Sequence, residues 1–278
     1  MSKVIACIVA RTNSTRLPKK VLKKINGITM IEYIIKKIQR CKSISDIYIC
    51  TSYDDDDHIL LEIADKNGIK SYAGSKDSVI DRLIDVGKIE NADAIVRITG
   101  DNVFTDEVYL DLMISNHIRH NADYTRTEYL PIGVTSEVIS MSALEKCYSI
   151  MNPDESQYLL LYIFNPVIFK CLVLVPPISH QKPNLTLTVD SPNDWQRTNV
   201  IIGDSNTPLN YADILKVIEN NETIPNIEYD PLGDVKFPAN LTFSFSAFRL
   251  EIENRIKRSI SIEINETDYH EVFSKQRV

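Results

Sequence analysis

Four cations fall within the eleven residues Ala10-Arg11-Thr12-Asn13-Ser14-Thr15-Arg16-Leu17-Pro18-Lys19-Lys20, directly after an apolar run at residues 4–9. Arg11, Arg16, Lys19 and Lys20 at a strand end suit a polyphosphate, whose oxygens they would neutralise. Small polar residues such as Asn13 and Ser14 let backbone N–H groups approach those oxygens closely. On residue types alone, a solvated surface loop is an equal reading. The chain has only eight glycines in 278 residues, spaced too widely for either common glycine-rich phosphate loop. Any nucleotide must therefore be held by a loop of another kind.

Two aspartates, Asp101 and Asp190, each end a predicted strand. A fold that joins those ends would pair two carboxylates, a donor set suited to Mg2+ with phosphate oxygens and water. Taken singly, an aspartate there is more often a helix N-cap, and Asp190 before Ser191-Pro192 fits that role. Arg97 interrupts the apolar strand Ile95-Val96-Arg97-Ile98, so its charge needs a partner or a cleft. Arg82 suits either a ligand contact or a helix-surface ion pair with Asp81 or Asp85. The run Asp54 to Asp57 opens a predicted helix, where aspartates favour the positive dipole end. His117 and His120, three apart, lack a nearby cysteine or acid partner and read as solvated residues at a helix end.

Alternating elements must position these groups. Residues 4–9, 46–51, 69–72 and 94–98 read as buried strands, and 30–40, 54–66, 78–88 and 106–120 as amphipathic helices. That rhythm predicts an α/β fold with an open, mostly parallel, three-layer sheet. Ligands of such sheets bind beyond the carboxyl ends of the strands, where residues 11–20 and 99–101 fall. In the second half, strands are expected at 134–140, 169–175 and 185–189. Helices are expected at 142–150, 155–164, 190–202 and 213–220. Residues 225–238, with three prolines, read as a linker to a segment with alternating apolar residues at 241–245.

Composition narrows the classes. The formal net charge of −7 argues against a main role on a nucleic-acid backbone. No apolar run approaches the roughly 20 residues of a membrane helix, so no membrane insertion is expected. Five scattered cysteines without a C-x-x-C read as reduced thiols of a cytoplasmic protein.

The cationic segment resembles the A-R-x-x-S-x-R-L-P-x-K signature of cytidylyltransferases of the spore-coat-polysaccharide type. These are relatives of the enzymes that activate 3-deoxy-octulosonate and sialic acids with CTP. Gly74-Ser75-Lys76-Asp77-Ser78-Val79-Ile80-Asp81-Arg82 is similar to the family's G-S-x-x-D-V-L-D-R. Val96-Arg97-Ile98-Thr99-Gly100-Asp101 is similar to V-R-I-T-G-D, and Leu187-Thr188-Val189-Asp190-Ser191-Pro192-Asn193-Asp194 to L-T-V-D-T-P-E-D.

The resemblance implies a Rossmann-like, GT-A-like nucleotidyltransferase domain over residues 1–225, with a C-terminal extension at 226–278 outside it. It implies transfer of CMP from CTP to an acceptor by attack on the α-phosphorus, with pyrophosphate released, in surface-glycan biosynthesis. The acceptor would be a sugar, a sugar acid or another small alcohol, phosphate or phosphonate. By resemblance Arg11, Arg16, Lys20 and Asp101 are catalytic. Ala10, Arg11, Asn13, Ser14, Lys20, Gly74, Arg82, Arg97 and Gly100 bind the nucleotide, and Asp101 and Asp190 hold Mg2+. Thr135, Glu137, Gln157 and Tyr158 occupy acceptor positions. There the sequence departs from the family: Thr135 replaces an acid of P-x-G-x-D-x-E-V, and Tyr158 replaces the histidine of E-H-V-T-P-Y-I. A CTP-binding or scaffolding protein with altered catalysis is the alternative those changes raise. A nucleotide-sugar-dependent glycosyltransferase on a similar sheet is another. Family members often form homodimers, with 129–135 and 240–264 as the segments that would reach across.

Overall fold

Burial with a period of two along the first strand sets the layers. Val4, Ala6 and Ile8 enter one apolar cluster, and Ile5 and Cys7 enter a second cluster on the opposite face. The structure is a computed structural model, and it describes residues 2–221, 223–225, 227–228 and 245–276. Its strands are β1 (Val4–Val9), β2 (Lys24–Ile25), β3 (Ile28–Thr29), β4 (Asp46–Ser52), β5 (Lys70–Gly74), β6 (Ala94–Thr99), β7 (Tyr124–Thr127), β8 (Glu137–Ser140), β9 (Cys171–Val175) and β10 (Ile260–Glu263). Its α-helices are α1 (Met30–Ile38), α2 (His58–Lys66), α3 (Val79–Glu90), α4 (Glu107–His120), α5 (Met141–Ile150), α6 (Leu159–Ile163), α7 (Pro192–Ile202), α8 (Tyr211–Glu219), α9 (Phe245–Arg258) and α10 (Glu266–Gln276).

Eight strands form one sheet in the order β10-β9-β7-β8-β6-β1-β4-β5, and every pairing is parallel except those of β8. Side chains of α1, α2, α4, α7, α8 and α10 fill the cluster on one face. Side chains of α3, α5, α6 and α9 fill the other. The result is the expected three-layer α/β fold. All five cysteines are free and buried. Among the described residues no helix is long and apolar enough to cross a membrane.

Several expected elements change once tertiary contacts are present. Residues 185–189 form no strand of the sheet. Their N–H groups bond instead to loop carbonyls: Thr186 to Ile227, Leu187 to Ile132 and Val189 to Asp101. The helix expected at 155–164 splits into a 3-10 turn, Pro153–Tyr158, and the short α6. Buried Ser156 in that turn accepts a hydrogen bond from the Ile80 N–H, which ties the turn to the start of α3. The aspartate run likewise forms a 3-10 turn, Asp55–Asp57, before α2 begins at His58. Strand β8 starts only at Glu137, after an irregular stretch from 134.

His117 is not solvated. It is buried with a bond to Thr125 Oγ1 at 2.8 Å, and burial pushes its pKa down to about 4. Among the described residues no cluster of three metal-ligating side chains forms around it or elsewhere. The expected linker and alternating segment fall, from 229 to 244, outside the described residues.

Candidate active site

The crevice opens where the chain reverses its direction across the sheet. β1 lies between β4 and β6, so the loops that leave β1 and β6 part company at their carboxyl ends. The two loops touch at their roots. Gly100 N donates to Val9 O at 2.9 Å, and a Cβ on Gly100 would lie 2.9 Å from the Cβ of Ala10. Only glycine lets these backbones close that far.

Thr12 folds the cationic loop. Its N–H and hydroxyl both donate to Asp57 Oδ1, at 2.7 and 2.8 Å. Its carbonyl accepts from Ser14 N and Lys19 N, so the loop doubles back on itself. Lys19 takes a left-handed backbone, φ 53°, to complete the turn. Ser52 Oγ donates to the other oxygen of Asp57 at 2.5 Å. Burial alone would raise the Asp57 pKa, but the Ser52 and Thr12 hydrogen bonds outweigh it and the carboxyl is held low. From sequence, Asp57 belongs to the run of aspartates expected to open a helix. The available signal was its position just past the end of β4, on the same sheet edge as the loop.

This fold sends Lys20 across to two other loops. Its ammonium donates to Asp101 Oδ2 at 3.1 Å, Asp190 Oδ1 at 2.8 Å and Val189 O at 2.9 Å. Arg16 Nη2 meets the second Asp190 oxygen at 2.7 Å. Two carboxylates from distant segments therefore converge on one cation. Burial works against the charge on Lys20, yet Asp101 and Asp190 raise its pKa overall. Burial likewise opposes ionisation of Asp101, and Lys20 and the Thr99 hydroxyl hold its pKa down.

Asp190 does not cap α7. Ser191 is the N-cap, locked in a capping box with Asp194, and Asp194 also accepts from the Asp190 N–H and from Arg197. The neighbouring acid thus holds the helix end, and the Asp190 carboxylate faces the cations instead.

The other expected nucleotide contacts lie along the same rim. Arg11 Nη1 donates to Lys76 O at 3.0 Å, which ties the loop to the turn after β5. Asn13 is exposed, and Ser14 Oγ accepts weakly from Leu17 N at 3.4 Å. Gly74 ends β5 against the stem of Arg82.

Arg82 makes no surface ion pair. It is 1% exposed, and its Nη1 donates to Cys50 O at 3.1 Å. Asp85 accepts instead from Tyr72 OH at 2.7 Å. Among the described residues no carboxylate lies within ion-pair distance of Arg82, and its Nε has no partner. Burial, then the nearby Arg11, lowers its pKa.

A cavity of about 560 Å³ adjoins the carboxylates through Thr99 and Asn102. Arg97, Arg126, Thr135 and Glu137 line it. The Arg97 Nη1 and a Glu137 oxygen form an ion pair, and Tyr124 OH donates to the other Glu137 oxygen at 2.7 Å. Arg126 Nε lies 2.8 Å from Glu128 Oε1. Among the described residues Arg97 Nε, Arg126 Nη1 and Ser136 Oγ are buried and find no hydrogen-bond partner. Gly133 shapes one edge with φ +98°, and a Cβ there would lie 2.5 Å from Thr188 N. Of the expected acceptor residues, Thr135 and Glu137 line this cavity, whereas Gln157 and Tyr158 do not. They sit in the 3-10 turn before α6, and Leu160 is the residue of that region that reaches the cavity wall. Arg126 was not among the expected site residues, because it lies in β7, where no strand was expected.

The cytidylyltransferase family model matches residues 5–163. The chain belongs to the cytidylyltransferase family. It is a nucleotidyltransferase by that membership. It is 32% identical over 196 residues to an uncharacterised protein of Methanocaldococcus jannaschii, across 70% of this chain and 81% of that one. It is 30% identical over 203 residues to the spore coat polysaccharide biosynthesis protein SpsF of Bacillus subtilis, across 70% of this chain and 85% of that one. Among solved structures it is similar to a cytidylyltransferase from Leptospira borgpetersenii, with TM-score 0.76 and 28% identity. That alignment covers 83% of this chain and 99% of the other. The cytidylyltransferase match takes in the cationic loop, Arg82, Arg97, Asp101 and Glu137. Asp190 and the residues from 245 onwards lie beyond it.

Proposed function

We propose that this chain transfers the cytidylyl group of CTP to a hydroxyl of a small polyhydroxylated acid, in the assembly of a surface glycan. The convergence of Asp101 and Asp190 on one cation position carries this reading. The cationic loop lies on one side of that position and the charged cavity on the other.

The acceptor oxygen attacks the α-phosphorus and passes its proton to solvent water, a new P–O bond forms, and the bond to the β-phosphate oxygen breaks to release pyrophosphate. Such a displacement is governed by positioning and charge neutralisation. Arg11, Arg16 and Lys20 gather the triphosphate, with Lys20 nearest the charge growing on the leaving group. Ala10, Asn13, Ser14 and Gly100 offer backbone at the loop roots, and Gly74 and Arg82 border the base. Arg97 and Arg126, which both line the cavity, hold the acid group of the acceptor. Glu137, Ser136 and Thr135 take its hydroxyls.

Asp101 and Asp190 fit Mg2+. The point they share already holds a cation, and two carboxylates leave room for phosphate oxygens and water. Because the described residues supply only these two acids there, Mg2+ would be held jointly by protein and nucleotide. When bound it would draw charge from the triphosphate oxygens and help align them.

The test is pyrophosphate release with CTP, Mg2+ and a panel of sugar acids. The expected result is release that needs all three components. CTP binding without release from any acceptor would support a catalytically altered nucleotide-binding protein. Preference for a nucleoside diphosphate sugar over CTP would support a glycosyltransferase. Either outcome overturns the proposal.

A further inference from the structure

The helix α9 comes from the C-terminal segment, beyond the residues that match the family. It nevertheless forms a wall of the cavity beside Arg97. Phe248, Arg249, Ile252, Glu253 and Ile256 all line that cavity. These positions follow i, i+1, i+4, i+5 and i+8, which is one face of a helix. The face is mixed: Ile252 and Ile256 meet the core, and Arg249 pairs with Glu253 at 3.4 Å in an exposed position.

This wall is fastened at three places. Arg255 Nη1 donates to the carbonyls of Leu161 and Phe164, each at 2.8 Å, which ties α9 to the end of α6. β10 then pairs in parallel with β9, from Ile260 beside Leu172 to Glu263 beside Val175. Finally α10 buries Tyr269 among Tyr109, His180 and Tyr211 on the opposite face of the sheet. Its Gln276 bonds to Glu107 O and Asp111 Oδ2 at 3.0 and 2.7 Å. A helix held between a helix end and a sheet edge is pre-organised, so its face is a fixed boundary of the cavity.

We infer that α9 is the selectivity wall of the acceptor pocket, supplied by the same chain, and that Ile252 sets the size of acceptor admitted. This rests on the reading of the cavity as the acceptor pocket. The five residues of α9 line the same pocket as the strand residues Arg97, Arg126 and Glu137. An acceptor anchored by its acid group on those arginines extends its remaining carbons and hydroxyls towards α9. Selection between acids of different length therefore falls to α9. The loop 129–135 and the first half of the chain build the part that every acceptor shares.

Initial rates of pyrophosphate release test this on the full chain. The probes are 3-deoxy-D-manno-octulosonate, N-acetylneuraminate and glucuronate, with CTP and Mg2+. Ile252→Trp fills the pocket from the α9 side. It is expected to raise the acceptor KM by at least about tenfold, the scale of a misfit in a shaped pocket, with the CTP KM within about twofold. Ile252→Ala widens the same wall and is expected to reorder the three acids in favour of the longer ones. Arg97→Met is the control for the pocket itself and is expected to raise every acceptor KM. If both Ile252 variants keep wild-type acceptor KM values and ranking while Arg97→Met raises them, the role of α9 is overturned and the acceptor pocket stands. If none of the three variants moves an acceptor KM, or wild type turns over none of the acids, the acceptor reading fails and this inference falls with it. An unchanged rise in melting temperature with CTP shows that each variant is folded.

Discussion

Lys20→Met is expected to bind bare Mn2+ more tightly than the wild type while losing transfer by about 10²–10³-fold, the scale of one lost transition-state charge contact. The two effects have opposite signs because Lys20 has two positions to serve. Without nucleotide its ammonium lies 2.8–3.1 Å from Asp190 and Asp101, where a divalent ion would otherwise sit. Removing it leaves two adjacent carboxylates with, among the described residues, Arg16 as the remaining paired cation, so the affinity for a bare cation should rise by at least about tenfold. In the reaction the same ammonium neutralises the leaving pyrophosphate, and methionine cannot. Titration of Mn2+ followed by its electron paramagnetic resonance signal reads the first effect, and pyrophosphate release reads the second. Unchanged Mn2+ affinity would show that Lys20 does not guard the carboxylates.

Arg82→Met is the second large effect. A buried guanidinium whose hydrogen bond, among the described residues, goes to a backbone carbonyl is costly to fold. Methionine is flexible enough to fill much of the same space. The carbonyl of Cys50 keeps its bond from Ala10 N at 3.2 Å, so the substitution leaves no acceptor stranded. The unliganded variant should therefore melt at the wild-type temperature or above it. Its affinity for CTP should fall by about 10–100-fold, as expected when a desolvated charge contact to a ligand is lost. Stability gained and binding lost mark a residue kept for its ligand. A variant that melts well below the wild type and still binds CTP normally would make Arg82 a purely structural cation.

Much of the fold was legible because it depends on local periodicity. Val4 to Val9 and the Ile31, Ile34, Ile35 and Ile38 face of α1 state their burial in one dimension. The cationic loop and Asp101 were legible as types at strand ends, and Asp190 as a type at the end of a strand the fold does not form. Their meeting was not, since Lys20 and Asp190 are 170 residues apart. Tertiary competition decided the rest. Asp190 lost its expected cap because Asp194 and Ser191 close that helix end without it. Residues 185–189 lost their expected strand because loop carbonyls, not a neighbouring strand, accept their N–H groups. The acceptor cavity was the least legible part. Arg126 and α9 reach it through sheet order and the path of the C-terminal segment, and neither leaves a mark in local sequence.

Asp101 and Asp190 are expected to form one metal position that is shared with CTP. The most direct measurement is a crystal structure of the protein with CTP and Mn2+, phased to show the anomalous signal of the metal. A peak is expected between Asp101 and Asp190, with triphosphate oxygens completing it and Lys20 moved onto the phosphates. A metal bound elsewhere, with Lys20 still bridging the two carboxylates beside bound CTP, would contradict it.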